Sequence, residues 1–352
     1  MADPIRVLVV DDSATVRRVL SQSLSREPDF VVVGEVGSAP EARAALAELR
    51  PDVVTLDLEM PGGSGLDLLR WVMANRPLPV IVVSGTTTRG AEATVAALQA
   101  GAFEVVTKPP SSAALPGMLA ALHFAIRAAS VARRAPAAPR VEAGPREEAR
   151  SGPPSLIAIG ASTGGTQAIA AIVRELPATC PPVVITQHLP AGFTAPFAKS
   201  LDASSRLEVR EARDGDVLRP GLALVAPGHI QLGVHGGRGG YVVRYGGTAL
   251  VSGHCPSVDF LFNSVARAAA GDAVGVLLTG MGRDGAQGML AMRQAGARTI
   301  AQDEASCVVF GMPKSAIEVG AAGRVLALSQ IALSLRAMCG LGDPARGQSA
   351  GL

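Results

Sequence analysis

The sequence predicts two α/β units in series, each built on a parallel sheet, and three observations carry that expectation. Short β-rich runs alternate with Ala- and Leu-rich helical segments through both halves of the chain. Acids, hydroxyls and glycines collect where the strands end, which is where open parallel sheets place their working residues. Between the halves, residues 127–154 shift to Ala, Arg, Glu and Pro with no repeating apolar face. At 352 residues the chain is long enough for each half to bury its own core.

In the first half, from Arg6 to about Ala125, the β-rich runs are RVLVV, VVVGEV, DVVTLD, PVIVVSG and FEVVTK. Helical stretches such as EARAALAELR and AEATVAALQA lie between them. Five such units predict a doubly wound, five-stranded parallel sheet with helices on both faces over 1–126. A linker, helical at first and irregular later, follows over 127–153. The second unit, 154–345, opens at SLIAIG and continues through PVVITQ, LEVREA, LALVAPG, YVVRY, AVGVLLTG and RTIAQD, giving a mostly parallel sheet. Its helical candidates are GTQAIAAIVREL, VDFLFNSVARAA and DGAQGMLAMRQAG, and the polar tail after Cys339 is expected to fray.

Hydrophobic residues make up 48% of the chain and aromatics only 3%, so the cores must be mostly Ala, Val, Leu and Ile. The formal net charge of +2 gives no reason to expect a nucleic-acid surface. Cys180, Cys255, Cys307 and Cys339 show no metal-ligand spacing and read as isolated thiols in a reducing compartment. The start, MADPIRVLVVDDS, reads as a first strand rather than a signal peptide. No run approaches the roughly 18 uninterrupted apolar residues of a membrane span, so a soluble, cytoplasmic protein is expected.

The first candidate site lies at four strand ends. Asp11 and Asp12 follow RVLVV, Asp57 ends DVVTL, Ser84 ends PVIVV, and Lys108 ends FEVVT. Three crowded carboxylates repel one another unless a cation neutralises them, and an all-oxygen set favours Mg²⁺. With the metal held, Asp57 can attack a phosphoryl donor while Mg²⁺ and Lys108 offset the product's charge. Any one of these acids alone would be an ordinary solvated loop residue; the five residues on one rim are the signal.

The second site centres on Ser162 in Gly160-Ala161-Ser162-Thr163-Gly164, a G-x-S-x-G pattern between a strand and a helix. The helix N-terminus favours developing negative charge, although such a turn can equally cradle a phosphate. The next strand ends in His188, and a later one leads into Met281-Gly282-Arg283-Asp284-Gly285. Nucleophile, base and orienting acid would thus occupy three strand-end loops of one sheet. His229 and His254 are rival bases that could line the cleft, His235 lies in a predicted hairpin, and His123 lies in a helix of the first unit. Asp259 and Asp303 are alternative acids, presented less clearly by their loops.

On the motifs VDDS (10–13), LDLEMPGGSG (56–65), VSGTT (83–87) and TKP (107–109), the first unit resembles the receiver domain of two-component response regulators. The resemblance implies Asp57 as the phosphorylation site, Asp12 and Asp57 as metal ligands with Asp11 a further acid, Ser84 as the hydroxyl that follows the phosphoryl group, and Lys108 as its ionic partner. Many receivers carry an aromatic three residues before the lysine; Val105 stands there, which argues against a switch that turns a ring inward. The second unit resembles the CheB family of chemotaxis protein-glutamate methylesterases through IGASTGGT, TQHLPAGFT, VAPGHIQL, GHCPSVDFLF, LLTGMGRDGA and TIAQDEASCVVFGMP. That resemblance implies Ser162 as nucleophile, His188 as general base and Asp284 as orienting acid, with Thr163 and the Met281 N–H binding the oxyanion and no cofactor at this site. Thr186 and Leu189 depart from the motifs without removing a catalytic group.

The implied substrates are glutamyl methyl esters and selected glutamines on methyl-accepting chemotaxis receptors, and the implied phosphodonor is a chemotaxis histidine kinase. Membrane contact would come only through the receptors, and the unphosphorylated receiver is expected to cover the Ser162 cleft. An output domain that binds DNA would need a helix-turn-helix and a basic face, and the second half shows neither. A nucleotide-dependent enzyme would need a Walker lysine or a ribose-binding acid after the following strand, where Gln187-His188 stands instead. A related enzyme serving receptors of a non-chemotaxis pathway remains the alternative reading.

Overall fold

Runs of Val, Ile and Leu at the central strand positions of both units leave no alternating polar face, as strands covered on both sides require. The structure, a computed structural model, describes residues 3–60, 64–85, 88–109, 111–134, 153–237 and 239–340. The chain divides into two compact units, Met1–Pro136 and Ala137–Leu352.

The first unit contains β1 (Ile5–Val10), α1 (Ala14–Leu24), β2 (Phe30–Val36), α2 (Ala39–Leu49), β3 (Val53–Leu56), α3 (Gly65–Asn75), β4 (Val80–Ser84), α4 (Thr88–Gln99), β5 (Glu104–Thr107) and α5 (Leu115–Arg134). All strand pairs are parallel, in the order β2-β1-β3-β4-β5. The predicted five-stranded parallel sheet is therefore present. Its strands β3 and β4 are buried throughout, and β1 is buried except at Arg6.

The unit continues past the expected boundary at residue 126. Arg127 of α5 pairs with Asp29 at 2.6 Å and Glu27 at 2.7 Å, and its guanidinium lies 4.8 Å from the Phe30 ring centroid. Among the described residues, the stretch 112–131 is the one helical segment long and apolar enough to cross a membrane, with mean hydropathy 1.4. Its apolar residues Leu122, Ile126 and Ala129 are fully buried, and Arg127 is tied to the β2 entrance, so α5 serves as the fifth helix of this unit. Most of the predicted linker and the tail after Gly340 lie outside the described residues.

The second unit contains β6 (Leu156–Ala161), α6 (Gly165–Glu175), β7 (Val183–Gln187), α7 (Thr194–Ser204), β8 (Glu208–Glu211), β9 (Leu222–Val225), β10 (Leu232–Gly237), β11 (Gly240–Tyr245), α8 (Val258–Ala269), β12 (Ala273–Leu277), α9 (Ala286–Gln294), β13 (Arg298–Gln302), α10 (Met312–Glu318), β14 (Arg324–Leu326) and α11 (Leu328–Met338). Seven strands pair in the order β14-β13-β12-β6-β7-β9-β8, every pair parallel. YVVRY is not part of this sheet. It forms β11 of a separate antiparallel hairpin with β10, whose last pair, Gly237 with Gly240, carries no side chain to hinder a close approach.

Strand order reverses at β6. The chain moves from β6 to β7 on one side and later returns to β12 on the other. Such a switch point opens a crevice at the carboxyl ends of the strands. Fully buried Val258, Leu261, Phe262 and Val265 fasten α8 to the core beside it.

Candidate functional site

In the first unit the strand ends converge as the sequence predicts. The Lys108 ammonium lies 2.5 Å from Asp57 Oδ2 and 2.9 Å from Asp11 Oδ2. Asp57 and Asp11 are nearly fully buried, whereas Asp12 is exposed. Oxygens of Asp11, Asp12 and Asp57 lie within 4.8 Å of one another. Burial raises the pKa of Asp11, against the pull of Lys108, and the charge of Asp57 adds to the rise. Burial would lower that of Lys108, but hydrogen bonds and attraction from Asp57 and Asp11 reverse this and hold the ammonium charged.

These oxygens fit a hard divalent cation. The donor set is wholly carboxylate, and two of its three acids, Asp11 and Asp57, are buried side by side with only Lys108 to offset their charge. Ser84, fully buried at the end of β4, accepts a 2.9 Å hydrogen bond from Thr94 Oγ1 of α4. Thr94 was not a sequence candidate, since a helical threonine facing its own sheet has no local signature. Val105 is half-buried in β5.

In the second unit, pairing of Ala161 with Gln187 sets Ser162 and His188 at the adjoining ends of β6 and β7. The His188 N–H donates to the Ala161 carbonyl at 3.0 Å, and the Ser162 N–H donates to Thr279 beyond β12 at 3.0 Å. The serine is thus flanked by the two loops that carry the candidate base and acid. Gly164, with φ 76°, reverses the chain into α6. Gly280 leaves room for the serine, since a Cβ there would stand 2.7 Å from Ser162 Cβ.

Asp284 is fully enclosed by donors. Oδ2 accepts from His188 Nε2 at 2.8 Å and from the Val258 N–H at 2.7 Å. Oδ1 accepts from Ser257 Oγ at 2.8 Å and from the Asp259 N–H at 2.9 Å. Burial alone would raise the pKa of Asp284; the His188 hydrogen bond and charge, together with the Asp259 and Val258 N–H groups, hold it below its ordinary value. The positive end of the α8 dipole acts in the same direction.

With Nε2 bound to Asp284, Nδ1 is the other nitrogen of the His188 ring. It is buried and makes no hydrogen bond among the described residues. Thr163 is buried beside the serine, and the Met281 residue follows Gly280 in the same loop cluster.

The rival residues fall into other roles. His123 bonds Ser23 Oγ at 3.0 Å in the first unit, and His229 and His235 are exposed. Asp303 caps the short turn at 304–306, accepting from the Ser306 N–H. Asp259 is buried and accepts from Ser252 Oγ at 2.6 Å and the Gly288 N–H at 2.7 Å. His254 is the exception, because its ring stacks on His188 with centroids 3.9 Å apart.

Comparison with known proteins identifies a family for each unit. The family described as CheB methylesterase matches residues 157–335, and the response regulator receiver domain family matches residues 7–120. The protein-glutamate methylesterase/protein-glutamine glutaminase 1 of Caulobacter vibrioides is 51% identical over 345 residues, which cover 94% of this chain and 97% of that protein. The protein-glutamate methylesterase/protein-glutamine glutaminase of Syntrophotalea carbinolica is 48% identical over 341 residues, with 94% and 97% covered. The crystal structure of the Thermotoga maritima CheB methylesterase catalytic domain matches with a TM-score of 0.50 at 38% identity, covering 53% of this chain and 98% of that one. With a receiver at its front, a methylesterase domain behind it and relatives matched almost end to end, this chain belongs to the CheB family.

Proposed function

We propose that this protein is a phosphorylation-activated serine hydrolase that demethylates glutamyl methyl esters, and deamidates selected glutamines, on chemoreceptors in the cytoplasm. The observation that carries the reading is the Asp284–His188 pair, gripped by the N-terminus of α8 beside Ser162 at the switch point of the sheet. Full-length similarity to enzymes of that name supplies the substrate class.

His188 Nδ1 takes the Ser162 proton as Oγ attacks the side-chain carbonyl carbon. Asp284 holds the Nε2–H and stabilises the imidazolium so formed. Thr163 and the Met281 N–H are the residues proposed to face the oxyanion, where loss of a single donor typically costs about 10²–10³ in rate. The His188 proton then leaves with methanol, or with ammonia from a glutamine, and water hydrolyses the acyl-serine to glutamate with His188 again as base.

In the receiver, Asp57 accepts the phosphoryl group from a histidine kinase. Asp11, Asp12 and Asp57 would hold Mg²⁺, which supplies charge neutralisation at the phosphoryl oxygens when bound. Lys108 pairs with the acyl phosphate, and Ser84 moves towards it. The unphosphorylated receiver restrains the esterase. Methanol release from methylated receptor membranes tests the whole reading, comparing wild type with Ser162→Ala, each with and without phosphodonor and Mg²⁺. Release that needs Ser162 and rises with phosphodonor supports it; release that survives Ser162→Ala overturns it.

A further inference from the structure

Two imidazole rings lie face to face at this site, and only one of them is used by the chemistry above. The His254 ring stacks on His188 with centroids 3.9 Å apart and planes 8° from parallel. Its mounting is unusually firm for a half-exposed histidine. Val251 and His254 exchange two backbone hydrogen bonds of 3.0 and 2.9 Å across a tight turn. Buried Gln231 donates at 2.9 Å to both the Ala249 and His254 carbonyls. Ser252 holds a left-handed backbone with φ 51°, rare for a residue other than glycine, and its carbonyl accepts from His254 Nδ1 at 2.9 Å. The Ser252 hydroxyl is in turn anchored on buried Asp259 at 2.6 Å.

A carbonyl only accepts, so Nδ1 of His254 carries its hydrogen and the neutral ring has its lone pair at Nε2. Burial lowers the pKa of His254, and the neighbouring His188 lowers it further. The charges that reach it are those of His188, Asp284 and Asp259. The Asp284 carboxylate, 3.9 Å from its Nδ1, does not reverse that direction. His254 therefore presents a neutral aromatic face to His188 at neutral pH.

That face answers a mechanical problem. The one side-chain hydrogen bond on His188, from Nε2 to Asp284, leaves the ring free to pivot about that bond, while Nδ1 has no partner to fix it. A second plane packed against the first removes the pivot. We propose that His254 is a positioning residue for the general base, holding the His188 ring in the plane that offers Nδ1 to Ser162 and lying against the imidazolium that forms there. No proton passes to His254; it moves from Ser162 Oγ to His188 Nδ1 and then to the leaving group. The inference rests on His188 being the base. Because the imidazolium exists only during reaction, the effect belongs to kcat rather than to KM.

The test measures kcat and KM for methanol release by the full-length protein on methylated receptor membranes, for wild type, His254→Ala, His254→Phe, His188→Ala and Ser162→Ala. His254→Ala is expected to lower kcat by about 10- to 100-fold with KM within about twofold, the pattern of a lost transition-state contact. His254→Phe keeps a flat ring without a titrating group and is expected to recover most of that loss. Wild-type kcat in His254→Ala overturns the inference, as does a loss confined to KM. A His254→Phe variant as poor as His254→Ala also overturns it, because the imidazole nitrogen and not the ring face would then matter. Full activity in His188→Ala would instead sink the assignment of the base, and with it the functional reading.

Discussion

The Asp284 carboxylate accepts the backbone N–H of Val258 at 2.7 Å, so the proposed orienting acid is held by the first turn of α8 as well as by His188. Asp284→Asn replaces one acceptor oxygen with an NH₂ group that must face either His188 or the helix donors. By analogy with the loss of the orienting aspartate in serine proteases, kcat should fall by about 10³–10⁴. The same change leaves a buried donor opposed to another, costing about 1–3 kcal/mol of stability. Methanol release and urea unfolding of the full chain check the two halves of this expectation separately.

Asp11 titrates in the direction opposite to Asp284. Burial raises its folded pKa above that of the unfolded chain, so its contribution to stability is present below the unfolded pKa and is lost as pH rises through the folded one. For Asp284 the folded pKa is depressed, so its contribution is present above the unfolded pKa and disappears as pH falls through the folded one. At neutral pH the Asp11 charge is therefore a liability that a cation relieves. Thermal unfolding in EDTA should show Asp11→Asn more stable than wild type, and added Mg²⁺ should raise the wild-type midpoint but not the variant's. A wild-type midpoint indifferent to Mg²⁺ would remove the metal from this pocket.

Asp57 and Lys108 lie 2.5 Å apart, a pairing that the proposed phosphorylation would rebuild around a larger, more negative group. In Asp57→Asn the phosphodonor should no longer change the rate of methanol release. Lys108→Ala should still incorporate radiolabelled phosphate from a small-molecule donor, yet give a weaker rise in rate than wild type. Stimulation that persists in Asp57→Asn would place the acceptor elsewhere.

Parallel strand ends make most of both sites legible in the sequence. Asp11, Asp57, Ser84 and Lys108 each follow a β-rich run, and the fold brings these strand ends to one rim. Support supplied by the chain's short or helical segments has no such signature. The donors on Asp284 come from Ser257, Val258 and Asp259, which lie within GHCPSVDFLF but whose role as donors depends on where α8 docks. His254 sits in a tight turn with no periodicity to interpret, and β14, only three residues long, falls below any hydrophobic pattern. YVVRY has the alternation of a sheet strand, but local pairing with β10 across a Gly-rich reversal took precedence over the main sheet.

Gly165 sits where α6 leaves the serine turn, and the room around it is already filled. A Cβ there would stand 2.1 Å from Gln187 Oε1 and 2.6 Å from Ala161 Cβ. Gln187 donates to the Ser162 and His188 carbonyls at 2.9 and 3.2 Å, so pushing it aside disturbs both residues. Gly165→Ala should cost about 1–3 kcal/mol, as overpacking of a tight interior commonly does. Activity should fall further than that loss of folded protein accounts for. Wild-type kcat in a normally folded variant would show that the turn tolerates the shift.

Ser84 and Thr94 form the last relationship with a measurable consequence, because Val105 leaves β5 without an aromatic ring to turn. The Thr94 hydroxyl donates to Ser84 Oγ at 2.9 Å, with both side chains fully buried, and so ties the end of β4 to α4 in the resting state. In the proposed switch Ser84 approaches a phosphoryl group on Asp57, and this bond breaks. Thr94→Val keeps the shape and removes the donor, at a cost to the resting receiver of about 1 kcal/mol. If the resting and active arrangements differ in this bond, the equilibrium moves towards the active one by up to about fivefold. Unstimulated methanol release should then rise, and phosphodonor should add less to it than in wild type. A variant that unfolds more easily but shows the wild-type unstimulated rate and the wild-type stimulation would confine Thr94 to packing.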